Sequence, residues 1–197
     1  MNVPLRLSNV NVFSEPFRYF TSPEALYPDV SGAVLKWFET SEAWTLAETD
    51  FYEQYEFSLW EVEVPAGLSF LRAPGYLAAV KTRLEKLFDV NLTDRLDITA
   101  HKLVPGQRIR LHNDFISGAE THRLFIQFNR AWSDKNGGLL FLFNSFDPAD
   151  IHKVFQPSHN SAFGFAISPH SNHAVSKLNA GVRFTLVYSF YEQKEIG

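Results

Sequence analysis

The second half of the chain alternates between short apolar runs and clusters of turn-forming residues. The runs that predict strands cover residues 97–103, 108–111, 121–129, 139–144, 161–167, 173–178 and 182–191. Turn formers such as Pro105-Gly106 and Asp147-Pro148 lie between them. Seven short strands at this close spacing indicate an antiparallel sandwich or barrel and argue against a parallel α/β sheet.

The first half predicts two helices. Ser22-Pro23-Glu24 resembles a helix start, with serine as N-cap and proline in the first turn, and apolar residues follow near a 3.6-residue period as far as Phe38. A second apolar stripe predicts a helix over Pro74–Phe88. We therefore expect a mainly β fold with flanking α: a double-stranded β-helix (jelly roll, cupin-like) core buttressed by N-terminal helices.

The length of 197 residues predicts one domain, 1–197, with its own core. Within it we expect residues 1–96 to form a helical and mixed buttress, and residues 97–191 to form the jelly roll. The aromatic and acidic stretch 51–60 has two interpretations, a packed loop or edge strand, or a lid that faces a substrate.

The last predicted strand has two different faces. Phe184, Leu186 and Tyr188 point one way, while Arg183 and Thr185 point the other way, into the barrel. A buried guanidinium is costly unless an anion meets it, and a carboxylate is its natural bidentate partner. The pattern leaves open whether that carboxylate belongs to a ligand or to an Asp or Glu of the chain.

A second group of candidate residues centres on His112-Asn113-Asp114. Two residues apart on an extended segment, His112 and Asp114 would lie on the same face and reach one cation. His173 completes three ligands, and a His₂–carboxylate set is the facial triad of non-haem Fe(II) oxygenases. His170 competes with His173, but His173 begins a predicted strand and precedes Arg183 by ten residues.

The composition of the chain excludes several classes of partner and of functional site. The formal net charge of −4 and the pI near 6.0 give no support for a nucleic-acid or anionic-membrane partner. The chain has no cysteine, which excludes disulfides, thiolate zinc sites and a cysteine nucleophile. Neither a signal-peptide pattern nor a membrane-spanning apolar run is present, so a cytoplasmic protein is expected.

Seven motifs in a fixed order carry a family resemblance. They are Val104-Pro105-Gly106, His112-Asn113-Asp114, Leu124–Trp132, Gly137–Phe141, Phe163-Gly164-Phe165, His173-Ala174-Val175 and Arg183-Phe184-Thr185. Together they resemble the catalytic core of the Fe(II)/2-oxoglutarate-dependent dioxygenases, most closely the prolyl 4-hydroxylase-like branch. The resemblance covers residues 97–191, about half of the chain.

The resemblance implies a metal site and a co-substrate site. Fe(II) would be bound by His112, Asp114 and His173. Three residues would hold the far carboxylate of 2-oxoglutarate: Arg183, Thr185 and Gln127, of which Gln127 stands where related enzymes often carry a tyrosine. Because the carboxylate ligand is present, the resemblance implies hydroxylation and not halogenation, with O₂ as second co-substrate and succinate as co-product.

The expected partner is a small-molecule or peptide substrate, most simply a peptide side chain of the prolyl type or an amino-acid derivative. Four residues are candidates for substrate contact: Arg123, Phe115, Tyr55 and Trp60. For Arg123 a structural ion pair is an equal alternative. Two other functions are compatible with the pattern, namely a non-catalytic jelly-roll binding module and a cupin-like metalloenzyme that does not use 2-oxoglutarate.

Overall fold

The structure is a computed structural model that describes residues 4–193, and strands dominate it. In chain order the strands are β1 (Leu5–Ser8), β2 (Asn11–Phe13), β3 (Tyr19–Ser22), β4 (Glu24–Leu26), β5 (Thr45–Glu48), β6 (Glu53–Ser58), β7 (Leu92–Leu103), β8 (Ile109–His112), β9 (His122–Gln127), β10 (Leu140–Phe143), β11 (Ile151–Phe155), β12 (Ala162–Ala166), β13 (His173–Val175) and β14 (Arg183–Glu192).

Two antiparallel sheets contain most of these strands. The large sheet has the order β2-β3-β12-β9-β14-β7-β6-β5, and the small sheet has the order β11-β10-β13-β8; β1 and β4 form a separate pair. Residues of both sheets line one cavity. The predicted mainly β, double-stranded β-helix architecture with flanking helices is confirmed.

Two α-helices, α1 (Pro28–Thr40) and α2 (Pro74–Phe88), flank the sheets, together with 3₁₀ turns at Ala66–Arg72 and Asp134–Asn136. Helix α2 has the predicted bounds, whereas α1 begins five residues later than predicted, at Pro28 and not at Pro23. Ser22 lies at the end of β3, and its hydroxyl donates to the carbonyl of Ser8 at 2.7 Å, so it does not cap a helix. Within the described residues, no helix is long and apolar enough to cross a membrane.

The main core lies between the helices and the outer face of the large sheet. Phe184, Leu186 and Tyr188 of β14 are buried in it with Phe38 of α1 and Val80 of α2. The predicted alternation along β14 is therefore confirmed, because its other side chains, which include Arg183 and Thr185, line the cavity. The helices support the sheet from behind and leave its inner face to the site.

Two stretches differ from the prediction. Strand β11, at the edge of the small sheet, was not predicted, because its residues are mostly exposed and polar ones interrupt its apolar pattern. Residues 53–58 form β6 between β5 and β7, so this part of the stretch 51–60 is sheet and does not form a lid. The subdivision predicted at residue 97 falls inside β7.

Candidate active site

The cavity between the two sheets has a volume of about 730 Å³. Strands β6, β7 and β14 of the large sheet supply one wall, and β8 and β13 of the small sheet supply the wall that carries His112 and His173. Backbone pairing sets these two histidines directly opposite each other, because His173 of β13 is in register with His112 of β8. Their ring centroids are 4.2 Å apart.

Asp114 completes a group of three metal-ligating side chains. Its Oδ1 lies 3.3 Å from Nε2 of His112, and its Oδ2 lies 3.2 Å from Nε2 of His173. One donor atom from each residue falls within 4.8 Å of the others. Two imidazoles and one carboxylate on one side of a metal suit Fe(II) and leave its other positions open, so the donor set fits that ion.

Backbone carbonyls orient both imidazoles. Nδ1 of His112 lies 2.8 Å from the carbonyl of Arg110, and Nδ1 of His173 lies 2.7 Å from the carbonyl of Ser171. A carbonyl only accepts, so each Nδ1 carries the proton and each Nε2 lone pair points to the shared centre. Burial, and then the neighbouring His112, lower the pKa of His173, which favours the neutral ligand form.

The chain turns sharply between the two nearby ligands. Strand β8 ends at His112, and Asp114 has a left-handed φ of 60°, a conformation that Asp tolerates better than most residues. Asn113 holds the turn: its side chain accepts from the amide of Phe115 and donates to the carbonyl of Pro169, both at 3.1 Å. The predicted convergence of the ligands is therefore confirmed, but the extended geometry predicted for it is wrong.

Arg123 is tied to Asp114 from the other side. It donates from Nη1 to Asp114 Oδ2 at 2.7 Å and also forms an ion pair with Glu120. Burial raises the pKa of Asp114, but the charge of Arg123 and hydrogen bonds from His112 and His173 outweigh it, so the pKa lies well below the usual range. Of the two interpretations of Arg123, the structure shows the ion pair, although the side chain also lines the cavity.

Arg183 is buried, at 5% exposure, and its environment differs from that of Arg123. Within residues 4–193 no carboxylate lies within ion-pairing distance, and Nε has no hydrogen-bond acceptor. Burial lowers the pKa to about 10, which leaves the guanidinium charged at neutral pH. A structural ion pair to an Asp or Glu is thus not what holds Arg183 in the described part of the chain.

Thr185 lines the cavity beside Arg183, whereas Gln127 is buried outside the lining. The Thr185 hydroxyl donates to Oε1 of Gln127 at 2.9 Å. Gln127 is thus placed to orient Thr185, and a direct contact of Gln127 with 2-oxoglutarate stays a prediction.

His101 lines the cavity and was not predicted as a site residue, because no spacing to another motif distinguishes it from an ordinary core histidine. It stands in register with Thr185 of β14 on one side and with Glu56 of β6 on the other. Burial, and then the charges of Arg123 and Arg183, lower the pKa of His101 to about 3, so it is neutral. Its position on the inner face follows from strand alternation once the pairing with β14 is known.

The predicted substrate contacts are only partly at the cavity. Phe115 lies at the cavity, 46% exposed, but Tyr55 and Trp60 do not line it. Tyr55 points to the opposite face of β6, where the Nζ of Lys102 lies 4.6 Å from its ring centroid. Trp60 follows the end of β6 and is exposed.

Four residues of the stretch 51–60 line the cavity instead: Phe51, Tyr52, Gln54 and Glu56. The ring of Phe51 packs on His112 with centroids 4.7 Å apart. The inward face of β6 is therefore polar, and its aromatic residues point outward. The prediction of Tyr55 as a substrate contact was wrong because the sequence does not reveal which face of β6 is turned inward.

Sequence comparison identifies the family. The sequence model of the 2OG-Fe(II) oxygenase superfamily matches residues 98–190, the region that contains all three metal donors and Arg183. No curated protein matches the chain significantly.

Solved structures show the same fold. A prolyl-4-hydroxylase from Pseudomonas putida aligns with a TM-score of 0.70 at 16% identity, covering 89% of this chain and 93% of its own. A prolyl hydroxylase from Trichoplax adhaerens, in complex with a hypoxia inducible factor peptide fragment, gives 0.70 at 15%, with 88% and 83% covered. The viral collagen prolyl hydroxylase of Paramecium Bursaria Chlorella virus-1, as a 2OG complex, gives 0.60 at 12%, with 87% and 94% covered.

At these identities the structural likeness establishes the fold, and the match over residues 98–190 together with the His112, Asp114 and His173 donor set identifies the cofactors as Fe(II) and 2-oxoglutarate. Over residues 98–190, a little under half of its length, the chain carries the conserved region of the 2OG-Fe(II) oxygenase superfamily.

Proposed function

We propose that this protein hydroxylates a peptide side chain or an amino-acid derivative, with Arg183 as the anchor of 2-oxoglutarate. The observation that carries the proposal is that one cavity contains both a set of metal donors and a buried arginine without a carboxylate partner. His112, Asp114 and His173 converge on a centre fit for a metal, and Arg183 has no carboxylate partner in residues 4–193.

The charges of this cavity suit a dicarboxylate. A buried unpaired guanidinium is unfavourable, and a bidentate carboxylate relieves the cost with two parallel hydrogen bonds. Gly138 supports this arrangement, since a Cβ at that position would come within 3.1 Å of Cδ of Arg183. A larger residue at 138 would push the arginine stem out of place.

The metal and its co-substrate supply the oxidising chemistry: 2-oxoglutarate and O₂ are converted to succinate and CO₂ while one oxygen atom enters a C–H bond of the substrate. The residues of the chain hold the donors in place. His112 and His173 present neutral Nε2 atoms, and Asp114 is kept ionised by Arg123. Phe51 covers His112 and limits the access of water on that side.

The residues at the open edge of the cavity favour a substrate that is larger than a small metabolite. Three large apolar side chains line the cavity at its exposed edge: Phe115 at 46%, Phe146 at 64% and Ile116 at 70% exposure. A grouped set of exposed apolar residues at a site commonly marks a contact surface. Flanking residues of a peptide would find apolar partners there while one side chain enters the cavity.

Anaerobic titration of 2-oxoglutarate into the Fe(II) protein tests this function. We expect a visible metal-to-ligand charge-transfer band in wild type and its loss in His173→Ala. His170→Ala is the matched control, because His170 is an exposed histidine three residues earlier and lies outside the cavity lining. It should keep the band.

Absence of the band from folded, iron-loaded wild type would refute the function and favour the binding module. An unchanged band in His173→Ala would refute the metal site. A screen of peptides and amino acids for a 16 Da gain, the mass of one oxygen atom, would then test the substrate class.

A further inference from the structure

The wall of the cavity on β6 presents two hydrogen-bond acceptors that have no cationic partner. Gln54 is buried, at 2% exposure, and its Oε1 has no hydrogen-bond partner in the described residues. Its Nε2 donates to Oε2 of Glu56 at 3.1 Å, which fixes the amide so that Oε1 is the free atom. No lysine or arginine of residues 4–193 lies within ion-pairing distance of Glu56.

Most other charged groups of the cavity have partners in the described residues. Arg123 is shared by Asp114 and Glu120, and Asp97 accepts a hydrogen bond from the hydroxyl of Tyr191 at 2.6 Å, with Arg95 stacked on that ring. With Fe(II) and 2-oxoglutarate bound, the charge of the metal would balance the dianion, and Arg183 and Arg123 would balance Asp114 and Glu120. The negative charges of Asp97 and Glu56 remain, and of the two Glu56 lies beside a second acceptor without a partner, Oε1 of Gln54.

Glu56 lies on the same wall of the cavity as Thr185. It is two strands from Thr185 across the large sheet, with His101 between them in register, which corresponds to roughly 10 Å between backbones. Tyr52 lines the same cavity, and burial, followed by the charge of Glu56, raises the pKa of its phenol. The neutral His101 beside Glu56 supplies no compensating charge.

We propose that the substrate carries an alkylammonium or guanidinium group that is bound by Glu56 and Gln54. This inference rests on the proposed function and narrows its substrate to a lysine-type or arginine-type amino acid, free or within a peptide. The cation donates to the Glu56 carboxylate and, after a small turn of the amide that exposes it, to Oε1 of Gln54, and its aliphatic stem crosses the cavity toward the metal centre. A C–H bond of that stem becomes C–OH, while 2-oxoglutarate and O₂ become succinate and CO₂.

The test measures binding to the anaerobic Fe(II)/2-oxoglutarate complex of the full chain by calorimetry. The ligands are a pentapeptide with central lysine, the same peptide with Nε-acetyllysine, the versions with arginine and with proline, and free lysine and arginine. We expect the charged ligands to bind roughly 10- to 100-fold more tightly than acetyllysine, the magnitude of a charge-assisted hydrogen bond. The comparison of free amino acids with peptides identifies the source of the cation.

Glu56→Gln should remove this preference, with a roughly tenfold or greater loss of affinity for the lysine ligand. Glu53→Gln is the matched control, since Glu53 is on the same strand, is exposed and accepts from Gln107 outside this cavity. Glu56→Asp should restore part of the preference.

Equal binding of the lysine, acetyllysine and proline peptides, or unchanged affinity in Glu56→Gln, would overturn the inference. Binding does not depend on turnover, so the two proposals fail separately. Charge-selective binding without a 2-oxoglutarate band would refute the proposed function alone.

Discussion

Two arginines face the same cavity from different strands of the large sheet: Arg183 is buried, and the side chain of Arg123 is 19% exposed. They meet the cost of leaving water in opposite ways. Arg123 on β9 is held by Asp114 and Glu120; burial lowers its pKa, but the two carboxylates outweigh this and raise it. Arg183 on β14 has no such partner in the described residues, and burial alone lowers its pKa to about 10. The charge of Arg123 is balanced within the chain, whereas the charge of Arg183 would be balanced by the carboxylate of the proposed co-substrate.

This difference predicts that one arginine contributes to the stability of the fold and the other to ligand binding. Removing one member of a buried ion pair leaves an uncompensated charge and destabilises the fold, whereas removing an unpaired buried charge does not. The pair around Arg123 should therefore contribute to the free energy of unfolding, and Arg183 should contribute to the affinity for 2-oxoglutarate. Mutations of the two residues can contradict this division.

The largest effect is expected from Arg183→Met. It should weaken 2-oxoglutarate binding roughly 100-fold or more, because the carboxylate loses its buried cationic partner. The urea midpoint of the ligand-free protein should stay the same or rise, since an unpaired buried charge is gone. Calorimetry and urea unfolding measure the two quantities. A clear fall in the midpoint would mean that Arg183 is structural, and Arg130→Met, at an exposed arginine, serves as the control.

Arg123→Met should produce the opposite result. The free energy of unfolding of the metal-free protein should fall by about 3 kcal/mol, because Asp114 and Glu120 lose their cation. A bound divalent metal should recover part of the loss by pairing with Asp114. Urea unfolding with a chelator and with metal measures both terms. An unchanged midpoint without metal would remove the distinction between the two arginines.

Thr185→Val tests the surroundings of Arg183. In the complex the hydroxyl would turn from Gln127 to the ligand carboxylate, and its loss should weaken 2-oxoglutarate binding by about 1 kcal/mol, or roughly fivefold. Gln127 would also lose the hydroxyl that it now accepts. Thr99→Val, at another threonine that lines the cavity, should leave the affinity unchanged. If Thr185→Val has no effect either, Arg183 holds the carboxylate without it.

His122 shows a third response to burial, the loss of the proton. Burial, followed by the charge of Arg18, lowers its pKa to about 4. The unfolded chain takes up this proton first as the pH falls below about 6.5, so stability declines from there toward pH 4. Between pH 7 and 5.5 wild type should lose about 1 kcal/mol more than His122→Gln in urea unfolding. Parallel pH dependence of the two proteins would contradict this assignment.

The metal donors and Arg183 could be predicted because residue types and the alternation within one strand were enough to identify them. Alternation with a period of two assigns Arg183 to the inner face of β14, and residue types alone identify His112, Asp114 and His173 as a donor set. The conformation of Asp114 was not predictable. Its left-handed turn depends on Asn113 bonding to Pro169, which is 56 residues away in the chain.

The substrate contact predicted for Tyr55 was wrong for a similar reason. Alternation says that Tyr55 and Glu56 point to opposite sides, but only pairing with β7 decides which side is inside. The start of α1 was also misplaced, because the hydroxyl of Ser22 bonds to β1 and not to a helix end.

The fold class, the metal donors and the presence of an inward-facing arginine could be predicted from the sequence, since each follows from residue type and short-range periodicity. The ion pairs of Arg123, their absence at Arg183 in the described residues, and the position of Glu56 at the cavity without a cation became visible only in three dimensions. Ion pairing depends on distances between segments far apart in the chain, and those distances are set by sheet register and packing.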